Sequence, residues 1–208
     1  MIKQFIKRLL GMGGEQEPVV HFDPSALESR EPEMRTIGLF CDVVEDKIAE
    51  ISHAMIYLNE TNKLQRKPED KKPIKFYLST YGGSADDMFA LYDIMREVEA
   101  ETEIHTHGIG KVMSAGVLLL AAGTQGKRSI GKNCRVMIHS VIGGSHGSLH
   151  NMVNEMEAIQ DIQEMYINCL AAETKMTKKQ IKKMLERKVN IYLSAEEAVE
   201  LGIADIIV

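Results

Sequence analysis

Gly108-Ile-Gly-Lys-Val-Met-Ser-Ala-Gly116, running on into Val-Leu-Leu-Leu-Ala-Ala-Gly123, sets one serine between small residues at the mouth of a run of helix formers. Glycines on both sides let the backbone turn sharply and approach other chain segments closely. A serine at the start of a buried helix is held on a rigid element, beside backbone N–H groups that lack helical partners. A nucleophile with an oxyanion hole needs both features. The commoner use of serine at such a position is as a helix N-cap, and the motif alone leaves both readings open. It is not the Gly-x-Ser-x-Gly elbow of the α/β-hydrolases, because Val occupies position 112.

Two further segments bear on Ser114. Cys134-Arg-Val-Met-Ile-His139 reads as a buried strand that ends in a histidine, with Ser-Val-Ile-Gly143-Gly144 after it. A histidine at a strand end can reach a neighbouring cleft, and its ordinary pKa of about 6.5 suits a general base near neutrality. Taken alone it reads as a histidine bonded to backbone; Ser114 tilts the balance towards a base. Upstream, Ile74-Lys-Phe-Tyr-Leu-Ser-Thr80 alternates as a strand and runs into Tyr81-Gly82-Gly83-Ser84 and a helical pattern from Asp87 to Met95. A Gly-Gly turn between strand and helix can present backbone N–H groups to a ligand, although a plain tight turn is the default. Neither Walker nor dinucleotide spacing is present.

The remaining pattern is strand alternating with helix. Thr36–Cys41 and Glu103–His107 read as strands, and Glu45–Glu60 carries Ile48, Ile51, Met55 and Leu58 at helical spacing. Lys63–Lys72 is a mixed-charge surface loop with Pro68, and Pro73 follows. Leu149–Ala172 is a long helix with one broad apolar stripe. The alternation predicts an α/β fold with a parallel sheet flanked by helices.

Composition narrows the function classes. The chain has 208 residues, 44% of them apolar and 26% charged, which fits one domain with a sizeable core. A net charge of −5 gives no sign of nucleic acid or an anionic membrane as a partner. Cys41, Cys134 and Cys169 lie far apart, two of them in apolar strand-like runs that predict buried free thiols. The absence of a disulfide framework points to a cytoplasmic setting. His105-x-His107 and His146-x₃-His150 lack a third ligand in the pattern, so surface or strand histidines are expected rather than a metal site. No run reaches transmembrane length. Met1–Leu10 is short, basic and amphipathic, and Lys7-Arg8 breaks its apolar run, against a signal peptide. A membrane-surface helix, a propeptide and a docking arm stay open for it. Residues 1–34 are read as an arm, and 35–208 as the domain.

Ser-Thr80-Tyr-Gly-Gly83, Gly-Lys-Val-Met-Ser-Ala-Gly-Val-Leu-Leu-Leu-Ala-Ala-Gly123, Arg-Val-Met-Ile-His139 and Tyr192-Leu-Ser-Ala-Glu-Glu-Ala-Val-Glu-Leu-Gly-Ile-Ala-Asp205, in that order, closely resemble the proteolytic subunit of the Clp protease, ClpP. The resemblance runs from about Arg35 to the C-terminus. It implies a repeated β-β-α superhelix of the ClpP/crotonase kind with a protruding helical handle at about 143–172. It implies a serine endopeptidase with Ser114 as nucleophile, His139 as general base and an oxyanion hole from the N–H groups of Gly82 and Ala115. Gly83, Gly143, Gly144 and Ser145 are the implied substrate-binding residues, the last three in a Gly-rich strand to which an extended peptide adds.

At the third triad position, four residues before Ser194, the family has Asp and this chain has Asn190. Asn can orient an imidazole, as in papain-like enzymes, but offers it no charge; in a Ser-His-Asp triad the change costs roughly 10⁴ in kcat. The resemblance further implies heptameric rings stacked as a tetradecamer, unfolded polypeptide as substrate and an AAA+ unfoldase of the ClpX, ClpA or ClpC kind as partner. Met137, Met152, Met156 and Met165 suit an adaptable interface between rings. The chain has no nucleotide motif, so ATP falls to the unfoldase, and no cofactor is expected. Two other readings stand beside this one: a weak or inactive ring subunit, which Asn190 favours, and an acyl-CoA-binding crotonase relative, against which Ser114 and His139 both count.

Overall fold

The computed structural model describes residues 34–186 and 189–208. Strands and helices alternate: β1 (Thr36–Leu39), α1 (Glu45–Lys63), β2 (Ile74–Thr80), α2 (Ala85–Glu99), β3 (Ile104–Met113), α3 (Ala115–Ala121), β4 (Ser129–Ile130), β5 (Arg135–Ile138), α4 (Leu149–Glu173), α5 (Lys178–Leu185), β6 (Ile191–Leu193), α6 (Ala195–Glu200) and β7 (Ile206–Ile207). One 3-10 turn, Pro68–Asp70, interrupts the expected surface loop. Arg35–Val208 form one compact unit. The expected N-terminal arm lies outside the described residues except for its last position. Among the described residues no helix is long and apolar enough to cross a membrane.

The sheet is parallel along β1-β2-β3-β4-β7. β5 also joins β3 in parallel, and β6 joins β5 antiparallel. This is the α/β class expected from the alternation. β3 has two partners because its sequence breaks in the middle. His107 and Gly108 pair with β4, whereas Lys111–Met113 pair with β5. Gly108-Ile-Gly110 lies between, with Gly110 at φ +66°, a conformation that suits glycine. The pairing of β2 with β3 shifts register between Leu78 and Thr80 at the same level. The far half of β3 thereby carries the chain past the main ladder and delivers it to Ser114.

Burial follows the period of each element. On β2, Ile74, Phe76, Leu78 and Thr80 alternate inward. α3 is buried on every side, from Ala115 through Ala121, as expected of a helix that is apolar all round. Its C-terminal end is tied down by Arg128, itself fully buried. That guanidinium donates to the carbonyls of Ala121 (3.0 Å) and Glu173 (2.6 Å) and pairs with both carboxylate oxygens of Asp205. One arginine thus joins the ends of α3 and α4 to the C-terminal strand, satisfying carbonyls that a helix end leaves unpaired.

α4 is half embedded. Tyr166, Ile167, Leu170 and Glu173 are its buried residues, and no residue from 149 through 165 is buried. Leu149 (69% exposed) and Met156 (56%) show their apolar side chains to solvent. Two expectations fail here and nearby. Gly143–Ser148 forms no strand and is exposed: no neighbouring strand offers it a ladder, and glycine loses the most entropy on being fixed. Cys41 is exposed rather than buried, because β1 ends at Leu39, two residues before it. Cys134 is buried as expected, and burial pushes its thiol up to about 11.

Candidate active site

Ser114 links the end of β3 to the start of α3, and among the described residues it is the one non-glycine with positive φ (φ 54°, ψ −121°). Its side chain makes no capping bond to the helix. Ser114 thus holds the N-cap position, as the commoner reading expects, but its hydroxyl does not cap the helix. His139 Nε2 lies 2.8 Å from Ser114 Oγ. β5 ends one residue before His139, and the Ser114 N–H donates to the Met137 carbonyl at 2.8 Å, so the two residues are fixed through adjoining strands.

A backbone in this region costs about 1–3 kcal/mol unless its surroundings impose it. Several groups do so. The Ser114 carbonyl accepts from the Val117 N–H (3.0 Å) and from the Tyr166 hydroxyl (3.1 Å). Gly82 presses against the elbow from the turn after β2: a Cβ there would stand 2.6 Å from Ser114 Cβ and 2.9 Å from the Met113 carbonyl oxygen, and its φ is +97°. Glycine is required at 82 on both counts.

The elbow opens onto a cavity of about 350 Å³ lined by Tyr81, Gly83, Met88, Ser114, Ala115, His139 and Tyr166, with Val141, Ile142 and Ile162 also on its wall. Among the described residues no Asp, Glu, Lys or Arg lines it. Burial lowers the pKa of His139, because an imidazolium loses hydration there. Nothing among the described residues offsets that with a carboxylate, and the ring's one hydrogen bond there is the contact with Ser114.

The other expected residues divide. Ala115 and Gly83 line the cavity. Gly82 does not, and its N–H already donates to Thr80 Oγ1 at 3.0 Å. The neighbouring turn is pinned by Val43, whose N–H donates to the Gly82 carbonyl and whose carbonyl accepts from the Ser84 N–H. That leaves the Gly83 N–H without a protein acceptor among the described residues. Gly143, Gly144 and Ser145 are also absent from the cavity wall; Ser140, Val141 and Ile142 stand there instead. Asn190 is exposed and makes no hydrogen bond to His139 among the described residues. Its backbone position is nonetheless suggestive. β5 and β6 pair Ile138 with Ile191, and one further step of that antiparallel register sets His139 opposite Asn190.

Sequence reasoning passed over Tyr166, Met88 and Ser140–Ile142 as wall residues. Tyr166 sat in the apolar stripe of the long helix, and only its hydroxyl hinted at a polar partner. His105 and His107, weighed as metal ligands, lie on β3, where His105 meets Glu103 and His107 stacks on Tyr77 beside Ser129.

The serine and the histidine thus stand at the ends of two adjacent parallel strands of an α/β sheet. Residues 28–208 match the family model described as Clp protease, and the chain belongs to that family. It is 34% identical, over 139 residues, to the ATP-dependent Clp protease proteolytic subunit 1 of Prochlorococcus marinus subsp. pastoris, covering 67% of this chain and 69% of that protein. It is 35% identical over 136 residues to the protein of the same name from Prochlorococcus marinus strain MIT 9312, covering 65% of this chain and 68% of the relative.

Proposed function

We propose that the chain is a serine endopeptidase subunit that cleaves unfolded polypeptides inside a closed, ring-shaped assembly fed by an AAA+ unfoldase. The observation that carries this reading is the 2.8 Å approach of His139 Nε2 to Ser114 Oγ at a strained elbow facing a cavity. His139, neutral at working pH, takes the hydroxyl proton on Nε2 as Oγ attacks the scissile carbonyl carbon. The tetrahedral oxyanion lies against the N–H groups of Ala115 and Gly83. Gly83 replaces Gly82 in this role because the Gly82 N–H is spent on Thr80. The C–N bond then breaks, His139 delivers its proton to the leaving amine, and water repeats the cycle on the acyl-enzyme.

The cavity, lined by no Asp, Glu, Lys or Arg among the described residues, accepts a side chain of the peptide, and the segment Ser140–Ile142 offers backbone to it. Exposed Leu149, Met152, Val153, Met156 and Met165 on α4 support assembly through that helix into stacked heptameric rings. A specific observation favours a second reading, that of a slow or inactive ring subunit: no carboxylate stands near His139 among the described residues.

A serine-reactive phosphonate with intact-mass readout, run beside a fluorogenic peptide assay and light scattering, tests both readings. Stoichiometric labelling at Ser114 with peptide turnover supports the peptidase. A fully assembled chain that neither labels nor cleaves supports the inactive subunit, and a strict monomer at micromolar concentration refutes the assembly.

A further inference from the structure

The hydroxyl of Tyr166 has one partner among the described residues, and it is the carbonyl of Ser114. Tyr166 is buried, 52 residues further along the chain, on the embedded half of α4. Its ring lines the same cavity as Ser114, Ala115 and His139. A phenylalanine would pack the ring equally well, so the hydroxyl answers a polar need. A buried hydroxyl without a partner is costly.

That need is geometric. The Ser114 carbonyl and the Ala115 N–H belong to one planar peptide unit and point in opposite directions. Whatever fixes the direction of the carbonyl fixes that of the N–H. Two donors converge on the carbonyl oxygen, the Val117 N–H from within the turn and the Tyr166 hydroxyl from another element. The Val117 bond belongs to the local turn and travels with it. The Tyr166 bond anchors the peptide plane to the rest of the fold. It does so where φ and ψ of Ser114 lie outside the ordinary wells, so that an unanchored plane would relax.

We propose that Tyr166 is a positioning residue for the oxyanion hole: its O–H holds the Ser114–Ala115 peptide plane so that the Ala115 N–H faces the cavity. The inference rests on the peptidase reading above. Burial raises the phenol's pKa, so Tyr166 stays a neutral donor throughout the working range. The tyrosine does not touch the proton that moves; it acts on the site through backbone. Its contribution is therefore to the tetrahedral state rather than to the bound substrate.

The test compares Tyr166→Phe and Tyr166→Met with the parent and with Ser114→Ala, all as the assembled full-length chain. The readouts are kcat and KM for a fluorogenic peptide, Ki for a peptide boronate, melting temperature and light scattering. The boronate forms a tetrahedral adduct and reports on the oxyanion donors. Both tyrosine variants are expected to lose about 10-fold or more in kcat, up to the roughly 10²–10³ that outright removal of an oxyanion donor costs. Boronate affinity should fall in parallel, while KM stays within about 2-fold of the parent. Either variant running at the parental kcat with parental boronate affinity overturns the proposal. So does a loss confined to KM, or one that accompanies a collapse of melting temperature or assembly. Full activity in Ser114→Ala is a different failure, since it removes the peptidase reading itself.

Discussion

His139 Nε2 and Ser114 Oγ stand 2.8 Å apart although 25 residues separate them in the chain. The contact is built by the sheet. β3 hands its last paired residue, Met113, to Met137 of β5, and each strand then releases one functional residue at its C-terminal end. Parallel strands in register bring their C-terminal ends to the same side, which is where open α/β sheets place their ligands.

The strain at Ser114 separates its proposed catalytic role from its structural one. Ser114→Ala removes the proposed nucleophile but keeps a Cβ in a backbone region that glycine alone enters freely. Ser114→Gly removes both. Neither variant should label with phosphonate or cleave peptide. The glycine variant should nevertheless be the more stable by about 1 kcal/mol, since relief of 1–3 kcal/mol of strain outweighs the 0.5–1 kcal/mol entropic cost of glycine. Melting temperatures of the two inactive chains decide this, and an alanine variant equal to or above the glycine variant counts against strain at the elbow.

Burial of His139 sets the direction of the pH profile. Its pKa lies below the ordinary value because the charged ring is poorly solvated there. The neutral ring is the form that accepts the serine proton in the proposed mechanism. Activity should therefore rise with pH along a single acid limb whose midpoint in kcat/KM falls below about 6.5, and stay flat to pH 8. The same shift acts on stability. The unfolded chain binds the proton more readily than the folded one, so stability contributed by this group is present above the unfolded pKa and is lost as pH falls through the interval between the two values. A kcat/KM midpoint above 6.5 would mean that an anion faces the ring in the working assembly.

Much of this site was legible in the sequence. The Ser114 elbow and the histidine at the end of a strand are short local patterns, and each falls where its residue types predict. Ile74–Thr80 is a strand over the residues expected, because alternation on a half-buried strand is a strong signal. The misses are long-range. Which of two adjacent glycines turns its N–H to the cavity depends on Thr80 Oγ1 and on Val43 of another segment, neither of which the Gly-Gly pair reveals. Tyr166 reads as one more member of an apolar stripe until α4 is docked beside Ser114. β4, β6 and β7 are each two or three residues long, too short for a period to show, and exist because of their neighbours. α5 escaped because four of its eight residues are lysines, although Thr177 and Gln180 close a capping box at its start.

Thr80 gives a direct check on which glycine would serve the proposed oxyanion hole. Thr80→Val keeps the shape of the side chain, including the methyl group that packs over Gly116, and removes the acceptor of the Gly82 N–H. The variant should lose about 1–3 kcal/mol of stability, the cost of a buried donor left unpaired. Its kcat should change by less than about 5-fold if Gly83 is the donor, the remainder being a loosened turn. A kcat raised well above the parent, with tighter boronate binding, would mean that the freed Gly82 N–H belongs to the hole after all.

In the proposed mechanism Asn190 sets whether the site is fast or slow. The β5–β6 register, carried one step beyond Ile138–Ile191, sets Asn190 opposite His139, and directly opposed residues on one face of an antiparallel pair have Cβ atoms about 4.5–5.5 Å apart. That is within reach of an Asn oxygen accepting from His139 Nδ1–H, which would hold the tautomer that leaves Nε2 free for Ser114. The amide adds no charge to offset the imidazolium that forms as the serine attacks. Asn190→Asp should therefore raise kcat by about 10-fold or more, less than the roughly 10⁴ measured for a buried Asp in the reverse direction, because position 190 is exposed and solvent screens the charge. The carboxylate should also raise the His139 pKa, so the acid limb of the pH profile moves to higher pH while its plateau rises. Asn190→Ala should lower kcat, leaving Nδ1–H to water. These outcomes are read from peptide turnover across pH on variants whose ring assembly matches the parent. An Asn190→Asp chain with the parental plateau and the parental midpoint would remove Asn190 from the site and leave Ser114 and His139 to act as a dyad.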